Sequence, residues 1–202
     1  MNNYKKQPFI PAIQKTSTLV LLSIISIVCF LISFNTKTID ISLSYVEKVE
    51  AAHLMEKAMK VLKESRMEHG VFIDIENDPN ETGLVGSPFS LITTDEGDLD
   101  AKLTTLDPNI SAMLVDLMTQ INLQKNDTVA ILMTGSMPGA NIAALTACKA
   151  LGIVPITITS IGASQWGANQ VDFTWLDMEA ILFNNDLIFL IKRQLLTGHL
   201  GK

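Results

Sequence analysis

Three kinds of hydrophobic pattern follow one another along the chain. Residues Leu19–Phe34 read LVLLSIISIVCFLISF, apolar on every side, and the uncharged run extends from Thr16 to Thr36. At about 1.5 Å per residue a helix of that length covers roughly 30 Å, the thickness of a bilayer's hydrocarbon core. Ser23, Ser26 and Ser33 do not oppose this, since a hydroxyl can bond back to its own helix. From Ser44 to His69 the pattern becomes one-sided. Val46, Val49, Leu54, Ala58, Val61 and Leu62 recur at three- and four-residue steps, with Glu56, Lys60, Glu64 and Glu68 among the charged positions. This predicts an amphipathic helix stopped by Gly70. Core packing is its ordinary use; a stalk or a dimerising helix is the alternative.

From Val71 to Gly97 no period holds. Turn residues alternate with Phe72, Ile75, Leu84, Phe89, Leu91 and Ile92, which predicts a long ordered loop. Asp107-Pro108 opens a further helix, with Asp107 suited to the N-cap and Pro108 to the first turn. Ile110, Met113, Leu114, Leu117, Met118 and Ile121 make its buried face. The third pattern is short and β-branched. Thr128–Met133 and Ile153–Ser160 read as strands, separated by a small-residue helix from about Asn141 to Leu151 that Gly152 ends. Strand, glycine turn, helix, strand is a βαβ unit, hence a parallel pair with a right-handed crossover. Phe173–Phe183 reads as another helix, and Leu187–Leu196 begins a further element. The expected fold is α/β: an N-terminal transmembrane helix followed by a Rossmann-like βαβ domain with a parallel sheet. Its divisions are a cytoplasmic N-terminus over 1–15, the membrane helix over 16–36, an amphipathic helix or stalk over 37–70, and an extracytoplasmic α/β domain over 71–202.

Charge orients that scheme. Lys5, Lys6 and Lys15 precede the apolar segment and no acid does, so the positive-inside rule places the N-terminus in the cytoplasm. The 21 acidic residues all lie at Asp40 or beyond, and beyond the segment the chain carries a net charge of −9. A cleaved signal peptide is the competing reading, but Ser33-Phe34-Asn35 lacks the small residues of a cleavage site. Cys29 is no lipoprotein site, because Ile27 and Val28 before it are bulky. With 202 residues, 48% of them apolar, the chain is not disordered, and its acidity excludes nucleic acid as a main partner. Two cysteines, Cys29 and Cys148, make neither a disulfide framework nor a zinc site.

The candidate chemistry lies at the ends of the two strands. Thr134-Gly135-Ser136-Met137-Pro138-Gly139 joins the first strand to its helix, where open α/β sheets place ligands and where free amides favour an anion. It is neither G-x-G-x-x-G nor a Walker A loop. Ser160-Ile161-Gly162-Ala163-Ser164-Gln165-Trp166 ends the second strand, beside the first in a parallel pair. The candidate ligand-binding residues are Thr134, Gly135, Ser136, Ser160, Gly162, Ser164 and Trp166, with Asn169 and Asp172 as polar liners. Simple capping and turning by Gly135, Ser136 and Gly139 is the alternative, as is a core position for Trp166. No catalytic residue is assigned: a serine nucleophile needs a base, and none of His53, His69 and His199 is tied by pattern to the serines. No metal site is expected, because Asp95, Glu96, Asp98 and Asp100 with Lys102 lack calcium-loop register and read as a solvated loop. No cofactor can be named. Cys148 reads as a small buried residue.

The stretches ITTDEGDLDAKLTTLDPN (92–109), ILMTGSMPGANIAALTACKALGI (131–153) and ITSIGASQWGANQVDFTWLDME (158–179) together resemble the poly-γ-glutamate system protein family, over roughly residues 44–190. These are bacterial cell-envelope proteins found beside poly-γ-glutamate synthesis and export components. The resemblance implies an accessory envelope role with those components as partners, and no established reaction. Family members continue past the position of Leu196, so it also implies a C-terminally truncated copy. Two rivals stand beside the accessory reading. One is an enzyme, a hydrolase or amide transferase acting on the polymer, which a base within reach of Ser136 or Ser164 would support. The other is a sugar-phosphate-binding domain. A structural partner held by the 44–69 helix is a further possibility.

Overall fold

The structure, a computed structural model, describes residues 15–36, 43–70, 73–189 and, as backbone alone, 192–196. It separates into two compact units, 1–41 and 42–202. The first contains α1 (Thr16–Asn35), a helix with no buried residue and a mean hydropathy of 2.5, long and apolar enough to cross a membrane. Such a helix is compatible with a membrane anchor or with a signal sequence. Residues 1–14, where a cytoplasmic N-terminus is expected, and the 37–42 connection lie outside the described residues.

The second unit is a mixed helix/strand domain. In chain order it comprises α2 (Tyr45–Glu68), α3 (Leu99–Thr104), α4 (Asn109–Gln120), β1 (Thr128–Thr134), α5 (Pro138–Leu151), β2 (Val154–Ser160), β3 (Asn169–Gln170), β4 (Phe173–Thr174), α6 (Trp175–Asn184) and β5 (Lys192–Leu196). β1 and β2 pair in parallel with Thr128 opposite Val154 and Thr134 opposite Ser160, so the two strands end level with each other. β5 joins β2 in parallel on the other side, giving the order β1-β2-β5. β3 and β4 form a separate antiparallel hairpin.

The two faces of the β1/β2 pair differ. Met133, Thr157 and Thr159 are buried, whereas Leu132 is 80% exposed and Ala130 and Ile156 are also open. The covered face meets α5 and α6: Met133, Ile142, Leu145, Trp175, Met178 and Leu182 share one core cluster. α2 adds Met55, Ala58 and Leu62 to that core.

The α2 boundaries agree with the pattern, and Leu54, Ala58, Val61 and Leu62 of the expected stripe lie in or against the core, but its first turns do not follow it. Ala51, Met55, Ala58, Leu62 and Arg66 are buried, while Val46 is 71% exposed and Val49 is also open. Small Ala51 and Ala58 let α2 approach its neighbours closely, and Ala51 is the one that counting large apolar residues passes over. Arg66 ends the stripe because its guanidinium donates to the Gly83 and Val85 carbonyls. Burial lowers the Arg66 pKa, and Asp78 opposes the shift. Asp78 is itself buried and accepts from the Thr82 and Gly83 amides. This arrangement ties the 78–85 loop to α2. Among the described residues of the long loop, Phe89 and Leu91 are exposed while Leu84 and Val85 enter the core; Val71 and Phe72 lie outside the described residues.

Two details differ at helix starts. α4 begins at Asn109, with Asp107 Oδ1 accepting the Asn109 amide two residues on. The helix expected over 173–183 begins at Trp175, after Phe173 and Thr174 pair as β4. Thr174 and Asp177 form a capping box there, two orphan amides satisfied reciprocally. Glu179, further along the same helix, is fully buried, with Oε1 3.5 Å from the hydroxyl of Thr157.

Candidate functional site

The equal ends of β1 and β2 bring Thr134, Ser136 and Ser164 together. Thr134 Oγ1 donates to Ser136 Oγ at 3.0 Å, and the Ser164 amide donates to the same oxygen at 2.9 Å. The Ser136 amide in turn donates to Thr134 Oγ1. Gly135 and Gly162 are where backbones close in: a Cβ at Gly135 would lie 2.9 Å from that of Ala163, and one at Gly162 would lie 2.5 Å from Thr94 Cγ2. Ser160 is half-buried beside Thr134, its hydroxyl 3.4 Å from the Gly162 carbonyl oxygen and not bonded to the other serines.

A third segment completes the cluster. α3 is capped at its start by Asp98, whose side chain accepts from the Ala101 amide. One turn on, Lys102 is only 5% exposed, and its Nζ donates to Ser164 Oγ at 2.7 Å. Burial lowers the Lys102 pKa and Asp98 opposes the shift. The sequence reading placed Lys102 in a solvated acidic loop. A signal was present, however: Leu99, Lys102, Leu103 and Leu106 stand at i, i+3, i+4 and i+7, which puts Lys102 on the apolar side of a short helix. The cluster thus joins a cation, three hydroxyls and the start of α5, drawn from segments far apart in sequence.

Most amides of the 163–168 turn are already engaged. Ala163 donates to Ile92, Gln165 to Asp95, Trp166 to Ser87, Gly167 to Ser164 and Ala168 to Gly135. An anion there would therefore be held by Lys102, hydroxyls and the α5 terminus rather than by a row of bare amides. Trp166 has a positive φ of 62° and packs against the edge of the core, with its backbone bridging to Gly86 and Ser87. Asn169 is fully buried and acts as a pin: its Oδ1 accepts the Ser87 amide and its Nδ2 donates to the Ser87 carbonyl and Thr93 Oγ1. Asp172 is exposed at the β3–β4 turn.

Elsewhere, an open groove of about 660 Å³ is lined by Met59, Asn80, Thr82, Leu103, Asp107 and Pro108, and none of the candidate residues lines it. Among the described residues no group of three or more His, Cys, Asp or Glu side chains is placed to hold a metal ion. Cys148 is buried and its thiol is pushed up to about 11 by desolvation, so it is not a nucleophile at neutral pH.

Fold and site together define a mixed α/β domain with a Lys–Ser–Ser–Thr cluster at parallel strand ends, preceded by an apolar helix. No family model, curated protein or solved structure matches the chain.

Proposed function

We propose that the chain is a single-pass bacterial plasma-membrane protein that serves a poly-γ-glutamate synthesis or export system as an accessory subunit. Its α/β domain, which we read as a Rossmann-like βαβ unit, then stands outside the cytoplasm. The observation that carries this is α1: twenty residues without a charge or a buried side chain, preceded by Lys5, Lys6 and Lys15, with every acid following it. The polymer link rests on the resemblance. It draws support from the way the three stretches that carry it contribute Lys102, Ser136 and Ser164 to one cluster. A net charge of −9 opposes a polyanion lying along the whole domain. One carboxylate against Lys102 meets no such objection.

The test is genetic. In a strain making the polymer, loss of the gene should lower surface poly-γ-glutamate. The full chain should restore it, and a chain lacking residues 1–36 should not. Unchanged polymer on deletion would remove the assignment.

A further inference from the structure

The geometry points to a second role for the cluster: Ser164 is a nucleophile and Lys102 its general base, making the domain an acyl-transfer centre for amide or ester carbonyls. A serine hydroxyl is a poor nucleophile until a neighbouring group accepts its proton, and a neutral lysine amine can be that group. Three observations converge. Lys102 Nζ lies 2.7 Å from Ser164 Oγ, the distance a proton crosses in one step. Lys102 is 5% exposed, in surroundings that disfavour its charged form, so the neutral amine is reached at lower pH than in water. Ser164 is itself half-buried at the strand ends rather than sealed in the core.

The balance of atoms is simple. The neutral Lys102 amine takes the Ser164 hydroxyl proton as Ser164 Oγ bonds to the carbonyl carbon. The tetrahedral adduct collapses with cleavage of the carbon–nitrogen bond, and the leaving nitrogen takes the proton from the Lys102 ammonium. An acyl ester remains on Ser164. Water, or a second amine in a transfer reaction, attacks that ester with Lys102 again removing its proton, and Ser164 is regenerated. Ser136 Oγ accepts from Thr134 Oγ1 and from the Ser164 amide, which leaves its own proton to donate to the developing oxyanion. The substrate class is a small acyl donor with an amide or activated ester, a γ-glutamyl amide being the form the proposed function would supply.

The test uses the full chain in detergent with p-nitrophenyl acetate, followed by peptide mass mapping, and with γ-glutamyl p-nitroanilide as the amide. The expected result is one acetyl group on the peptide containing Ser164, at a rate that rises with pH and levels off below the ordinary lysine range. Ser164→Ala should remove the label. Lys102→Met should slow it by about 10²- to 10⁴-fold and abolish the pH dependence. Lys102→Arg, which keeps the charge but cannot lose its proton, should be as slow as Lys102→Met. Ser164→Cys should label without being restored to full amide cleavage. Far-UV circular dichroism and a thermal melt establish that each variant is folded. If the folded wild type is not acetylated at Ser164, or if Lys102→Arg labels at the wild-type rate with the wild-type pH profile, the centre is not catalytic and Lys102 is only a structural tie.

Discussion

Gly86 and Gly167 hold the serine cluster together as directly as its hydroxyls do. A Cβ on Gly86 would lie 1.9 Å from the Gly167 carbonyl oxygen, and one on Gly167 would lie 2.7 Å from the Gly135 oxygen and 2.8 Å from Ser136 Cα. Every one of these atoms is backbone and cannot move aside. Gly86→Ala is therefore expected to cost about 3 kcal/mol or more by overpacking, read from urea unfolding. Gly70→Ala is the control: its Cβ meets nothing within 4 Å, so only the strain of its φ of 71° remains, about 1–2 kcal/mol. Equal costs at the two positions would mean the loops around Ser136 are not closely packed. Titration provides a second residue-scale check. The folded Lys102 gives up its proton at lower pH than the unfolded chain, so the unfolded state binds more protons in the window between its lowered pKa and 10.5. Stability from this group therefore rises with pH across that window. Cys148 has the opposite sign: its thiol keeps its proton up to about 11 against 9.0 when unfolded, so stability from it falls as pH rises between those values. Thermal melts from pH 7 to 11 should accordingly lose their upward component in Lys102→Met and their downward component in Cys148→Ala.

At the scale of elements, the sharpest contrast lies between neighbours in β1. Leu132 and Met133 are one residue apart on opposite faces, 80% exposed and 4% exposed respectively. Met133→Ala is expected to cost about 2–5 kcal/mol, and Leu132→Thr to stay within roughly 0.5 kcal/mol. Similar costs for both in chemical denaturation would show that the open face is covered in solution. The sequence alone predicted β1, α5 and β2 because periodicity, the Gly152 stop and β-branching all agreed there. It could not say that one face of the pair is left open, since both faces read as apolar and parallel strands are usually covered on both sides. The N-terminal part of the α2 stripe was misplaced for a related reason: Val46 and Val49 outrank Ala51 in hydrophobicity, yet a small residue allows helices to pack closely. At the site, the convergence of Thr134, Ser136 and Ser164 followed from strand pairing. Lys102 was passed over because a lysine among four acids reads as solvated, its place on the apolar side of a short helix going uncounted, and Asn169, expected to line the pocket, is instead a buried pin, a role that depends on which loop folds over it. α6 was placed by pattern, and its Thr174–Asp177 box is a local device that can be measured. Asp177→Ala should cost about 0.5–2 kcal/mol, and Asp177→Asn should recover part of that loss.

For the whole molecule, the proposal depends on which side of the membrane receives the acidic domain. The three lysines before α1 are what favour one side, since Lys and Arg close to a membrane segment are retained in the cytoplasm, while the acids of the domain contribute little to that choice. The domain also provides its own reporter. Leu132 stands out at 80% exposure, whereas Cys148 is buried and unreactive at neutral pH. Leu132→Cys in a Cys29→Ser background thus gives one accessible thiol on a silent chain. With a membrane-impermeant maleimide, intact cells or spheroplasts should label at position 132 without lysis. Replacing Lys5, Lys6 and Lys15 together by glutamate should move a substantial fraction of that labelling to the lysed sample, because the charge bias that fixes the orientation is then reversed. The band should keep its full mass and remain with the membrane after carbonate washing. A product shortened by about 3–4 kDa that washes free would instead make α1 a cleaved signal sequence, at roughly 0.11 kDa per residue for a segment of this length. Labelling of the parent protein only after lysis would place the domain inside the cell and remove the basis for an envelope role.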